Sequence, residues 1–117
     1  MISHIVLFKP HQALGPAQKA AVVDQLKAAI AQIPTVRGCR VGRRVQHGLP
    51  GYEQAMPVDY QFALILEFDD VEGLKAYLQT PAHQGIGGLF TSAAAASLAY
   101  DYELVDLANA AALLQAF

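Results

Sequence analysis

Two stretches, residues 1–9 and 60–68, read as β-strands that are apolar on both faces, and no other feature of the chain restricts its fold as strongly. In the first, Ile2, His4, Val6 and Phe8 point to one side and Ile5 and Leu7 to the other, until Pro10 stops the run. The second sends Phe62, Leu64, Leu66 and Phe68 one way and Ala63 and Ile65 the other. Such strands need cover on both sides. A chain of 117 residues holds enough material for one core and too little for two. One face is therefore expected under the chain's own helices, and the other against an identical sheet.

The intervening segments supply the helices. Gly15-Pro16 opens one with proline at a favoured first position, and Val22, Leu26, Ala29, Ile30 and Ile33 form its buried stripe before Pro34. Residues 36–46 form a further strand, in which Gly38 and Gly42 point to a bulge or a close backbone approach. A long polar loop follows over residues 47–59, carrying Gly48, Pro50, Gly51 and Pro57. Asp69 with Glu72 then has the form of a capping box, and Val71, Leu74, Tyr77 and Leu78 line the helix it starts. Thr80-Pro81 starts the next helix with His83 in its first turn, and Gly85, Gly87 and Gly88 should make it short or irregular. The alanines of residues 93–96 lead into a fourth strand over residues 98–105.

Strand, helix, strand, strand, helix, strand is the split β-α-β order of an α+β, ferredoxin-like fold. The expected architecture is a four-stranded antiparallel sheet with helices on one face, two copies of which pair into a dimeric α/β barrel. Residues 1–105 form that domain, and residues 106–117 read as an alanine-rich helical tail.

Composition narrows the function. Hydrophobic residues make up 54% of the chain and charged residues 15%, which leaves apolar surface for a partner. A net charge of −2 gives no basic surplus for nucleic acid, and the basic residues Arg37, Arg40, Arg43 and Arg44 are confined to one segment. That cluster reads as a solvated edge or dimer rim that discourages stray strand pairing, with an anionic-ligand site as the alternative. The single Cys39 fits a reducing, cytoplasmic setting and reads as a buried, inert thiol. The N-terminus has no charged region or cleavage site of a signal peptide. Lys9, Lys27, Glu67 and Lys75 interrupt every run that could approach the ~20 apolar residues of a membrane span. His11 and His47 lie in loops without partners at ligand spacing, so neither a metal nor a cofactor is expected.

Three stretches resemble the stress-responsive A/B barrel domain family, Dabb: His4-Ile5-Val6-Leu7-Phe8-Lys9, residues 59–64 leading into Glu67-Phe68, and residues 76–83. An N-terminal His-x-x-x-Phe-Lys strand combined with a late Tyr-x-x-x-Pro-x-His is specific to that family. The loop at residues 47–59 and the tail after Asp106 depart from its pattern. The resemblance implies a homodimeric barrel, and most members have no assigned reaction. In a plant polyketide cyclase of the family, a pocket lies between sheet and helices. Its catalytic histidine falls where His83 stands, a supporting tyrosine at Tyr77, and the strand-one histidine at His4.

The residues themselves allow that chemistry. His4 is a polar group on a face that helices should cover, so it needs a hydrogen-bond partner. Tyr77 and His83 flank the Thr80-Pro81 break, where a change of chain direction brings both towards one space. The positive end of the helix dipole disfavours imidazolium at His83, and a neutral imidazole is what a general base must be. The alternative is that His4 and His83 satisfy the core and Tyr77 packs its ring. Three functions follow: a dimeric barrel binding a small aromatic or carbonyl-rich molecule; a polyketide-cyclase-like or lyase enzyme with His83 as base, Tyr77 orienting it and His4 completing the lining; and, by fold analogy, a cofactor-free monooxygenase.

Overall fold

The computed structural model describes residues 1–11 and 15–115, and the side chains of all these except residues 89–93. Strand β1 (Ile2–Pro10) leads through helix α1 (Pro16–Ala31) to β2 (Gly38–Arg43) and β3 (Phe62–Phe68). Helices α2 (Val71–Gln79) and α3 (Pro81–Ala93) precede β4 (Ala94–Glu103), and a short helix α4 (Ala110–Leu114) lies near the C-terminus. The sheet order is β2-β3-β1-β4, antiparallel throughout, which is the ferredoxin-like arrangement.

Register assigns every side chain to a face, because partners directly opposite in a ladder share a side. Under the helices, Cys39, Leu66, His4 and Asp101 form one row across the sheet. Val41, Leu64, Val6 and Ala99 form the next row, and Arg43, Phe62, Phe8 and Ser97 the one after. The opposite face carries Arg40, Ile65, Ile5 and Tyr100, then Gly42, Ala63, Leu7 and Leu98. The buried core is one-sided: Leu64, Leu66 and Phe68 of β3 pack with Leu26, Ile33, Leu74, Tyr77 and Ile86 of the helical layer and its connections. On the other face Tyr100 and Tyr102 are exposed, with ring centroids 6.4 Å apart.

Several local expectations change. Strand β2 ends at Arg43, where Arg44 turns into the loop, its guanidinium binding the Asp59 carboxylate at 2.6 Å and the Glu53 carbonyl at 3.1 Å. The loop of residues 47–59 is organised further by His47 against Glu53, 3.1 Å apart, and takes positive φ at Gly48 and Gly51. Gly38 marks a close approach: a Cβ there would lie 3.3 Å from the Glu67 carboxylate. The cap of α2 is Asp70, which accepts from the Gly73 N–H at 2.8 Å, while Asp69 is drawn outward by Arg37. Val71 is exposed instead of lining that helix. Helix α3 runs for 13 residues despite its glycines, since Thr80 and Pro81 fix its first turn and Ile86 anchors it in the core. Strand β4 begins at Ala94, so Ala94, Ala95 and Ala96 belong to the strand while Ala93 ends α3. Residues 106–115 form a 3₁₀ turn and α4, with Leu107 at 90% exposure, and residues 116–117 of the expected tail lie outside the described residues.

Candidate functional site

The row containing His4 puts a polar group into an apolar layer, and its partner comes from the neighbouring strand. His4 is buried, and its Nδ1 donates to Asp101 Oδ1 at 2.6 Å across the β1–β4 ladder. A carboxylate can only accept, so this contact assigns the proton to Nδ1. Asp101 was not anticipated. Its signal was a β-disfavoured residue alternating with Tyr100 and Tyr102, on the face that the helices cover.

Helix α2 lays Tyr77 over this row. The Tyr77 side chain is fully buried, its ring meeting His4 edge-on at a centroid distance of 5.6 Å and Phe68 at 5.3 Å. Burial first, then the charges of Cys39 and Asp101, push its hydroxyl up to about 12, so it remains a phenol at neutral pH. The break between α2 and α3 then brings in His83. The Thr80 hydroxyl accepts from the His83 N–H at 3.3 Å, and the His83 ring stands edge-on to Tyr77 at 4.7 Å. Asp101, His4, Tyr77 and His83 thus form a continuous chain of contacts between sheet and helices.

His83 titrates below its ordinary value. Burial is the main cause and repulsion from His4 adds to it, while a hydrogen bond to the Leu78 backbone opposes them in part. Neutrality therefore comes chiefly from desolvation, not from the helix dipole on which the spacing argument relied. Cys39, at the other end of the row, is exposed as a residue rather than buried, because β2 is an edge strand. Its thiol faces the helices, and desolvation raises its pKa, away from thiolate.

Next to this row lies space. A cavity of about 270 Å³ sits between α1 and the sheet, floored by Phe8, Leu26 and Leu64 and walled by Val22, Val41 and Phe62. Neither Tyr77 nor His83 lines it. The Val41–Leu64 row is two residues from the Cys39–Leu66–His4 row along the strands, roughly 7 Å. Among the described residues, no group of three or more His, Cys, Asp or Glu is placed to hold a metal ion, and no helix is long and apolar enough to cross a membrane.

The stress responsive A/B barrel domain, Dabb, matches this chain over residues 2–104. An uncharacterised protein of Streptomyces coelicolor is 31% identical over 105 residues, spanning 88% of this chain and 99% of that protein. A dimeric ferredoxin-like protein of unknown function from Thermobifida fusca has a similar structure, with a TM-score of 0.67, 26% identity, and coverage of 88% of this chain and 90% of that one. The hydroxynitrile lyase of Passiflora edulis shares the fold at a TM-score of 0.75 and 13% identity, over 90% of this chain and 94% of its own.

Removing the Asp101 carboxylate leaves the buried His4 donor unpaired, which costs about 1–3 kcal/mol. Asp101→Ala is expected to lose that much in urea unfolding, and Asp101→Asn, which keeps an acceptor, to lose less. Equal stability of Asp101→Ala and wild type would show that His4 has no need of this partner.

Proposed function

Since this chain belongs to the stress responsive A/B barrel domain family, we infer that it works as a homodimer that binds a small organic molecule between its sheet and its helices. The observation that carries the ligand reading is the series Asp101, His4, Tyr77 and His83, joined by one hydrogen bond and two edge-on ring contacts and laid in an otherwise apolar layer beside a cavity. A core alone has no use for two imidazoles and a phenol in series, since apolar residues of similar volume would fill the space without a desolvation cost. A few convergent polar groups next to an apolar space are the usual make-up of a small-molecule site.

Dimerisation follows from the uncovered face. Ile5, Leu7, Ala63, Ile65 and Leu98, with the exposed Tyr100 and Tyr102, form an apolar patch that no element of the chain covers among the described residues. The Thermobifida fusca relative is dimeric and has a similar fold, which supports the same pairing here. Sheet-to-sheet packing buries this patch and closes the barrel.

A second reading, acid–base chemistry, is favoured by one observation: burial and His4 hold His83 below its ordinary pKa, so its imidazole is unprotonated near neutral pH, the form a general base requires. Tyr77, kept as a phenol, is a hydrogen-bond donor that can polarise a carbonyl. This is the arrangement a cofactor-independent cyclase or lyase needs. The likeness to a lyase supports only the fold.

Sedimentation velocity at micromolar concentration should give a dimer. Ile65→Asp should shift it to monomer or unfold it, because the substitution puts a carboxylate into an apolar interface. A wild-type monomer, or an unchanged Ile65→Asp dimer, would place the interface elsewhere.

For the site, a thermal-shift screen of aromatic and carbonyl-rich compounds is expected to return stabilising ligands. His83→Ala should keep nearly the wild-type melting temperature and lose ligand conversion if His83 is a base. A large fall in melting temperature with ligand binding unaffected would make His83 structural.

A further inference from the structure

The four arginines of residues 37–44 differ in one respect. Arg37, Arg40 and Arg44 each bind a carboxylate, those of Asp69 at 2.8 Å, Glu67 at 2.7 Å and Asp59 at 2.6 Å. Arg43 has no ion pair or side-chain hydrogen bond among the described residues. Its position explains what it faces. Arg43 stands opposite Phe62 in the β2–β3 ladder and two residues beyond Val41, so it shares their side of the sheet. Phe62 and Val41 both line the cavity under α1.

Arg43 itself is exposed and lies outside the cavity's lining, which contains a different uncompensated cation. Lys19, in the first turns of α1, is part of the lining, and its ammonium also lacks an ion pair among the described residues. No acidic side chain contributes to that lining. Lys19 thus brings positive charge without a counter-charge to the lining, and Arg43, on the same face beside Phe62, is left without a counter-charge while Arg37, Arg40 and Arg44 are neutralised locally.

We propose that this cavity takes a short amphipathic carboxylate, with its apolar body over Phe8, Leu26 and Leu64 and its anionic end at Lys19 and Arg43. The proposal rests on reading the space between sheet and helices as the ligand site, and it is independent of any chemistry at His83. Apolar lining favours the hydrocarbon part, and at the edge of a low-dielectric space an ion pair is screened less than in open water. A volume of about 270 Å³ suits a chain of several carbons better than a drug-sized body, for which ~300–1,000 Å³ is usual.

Octanoate and 1-octanol are the probes, titrated into the full-length protein by calorimetry and followed by methyl NMR. Octanoate should bind at least about tenfold more tightly than 1-octanol, with the shifts centred on Leu26 and Leu64, and its affinity should fall as salt is raised. The double variant Lys19→Met/Arg43→Met, altered only at the rim, should bring the acid down to the affinity of the alcohol and leave the alcohol unchanged. His83→Ala should bind octanoate as wild type does. Equal wild-type affinities for acid and alcohol would overturn the anionic class while leaving a ligand cavity in place. Failure of both probes to bind would overturn the cavity as a site, and an acid preference that survives the double variant would overturn the role of Lys19 and Arg43.

Discussion

Everything in this molecule hangs on β1 being flanked on both sides. It pairs with β3 along one edge and β4 along the other, so it cannot leave the sheet without breaking two ladders. Its two faces then do different work. One carries Ile2, Val6 and Phe8 into the core together with a single polar residue, His4; the other offers Ile5 and Leu7 to whatever covers the sheet. Because the strand is central, His4 is held between Leu66 on one side and its partner Asp101 on the other. The ring contacts through Tyr77 to His83 are built outward from that fixed point.

The same arrangement has an electrostatic consequence. Burial lowers the pKa of His83 below 6.5, so the folded protein resists a proton that the unfolded chain accepts. The stability that depends on a neutral His83 is fully present above that value and is lost as pH falls below it, through the interval between the unfolded and folded pKa values. Tyr77 needs no such window, since its phenol is kept to about 12. The layer thus holds a neutral imidazole and a protonated phenol in edge contact near neutral pH.

How much of this could be read in the sequence varies with the distance over which each interaction acts. Alternation along residues 1–9 and 60–68 reveals both faces of each strand, because a period of two depends on nothing beyond the strand itself. The Thr80-Pro81 helix start is equally local, and so is the placing of His83 within its first turn. Asp101 was illegible, because its pairing with His4 joins residues 97 apart and needs the β1–β4 register. The spacing to Glu72 points to Asp69 as the α2 cap, whereas Asp70 takes that place and Asp69 pairs with Arg37, 32 residues away. Cys39 looked buried from its composition alone, whereas its exposure follows from β2 lying at the sheet edge. Glycines in α3 weaken it locally, and the burial of Ile86 overrides them.

The account stands or falls on whether the layer between sheet and helices holds His83 neutral at its place in the series of ring contacts. The most direct test is a titration of the His83 imidazole by NMR in the intact protein, with the resonance assigned by its absence in a His83 variant. The account predicts a midpoint below 6.5, in keeping with burial and repulsion from His4. A midpoint at or above that value would mean that the ring is solvated or held as imidazolium. It could not then serve as the partly buried end of the series Asp101, His4, Tyr77 and His83, and the reading of this region as a preformed site would be wrong.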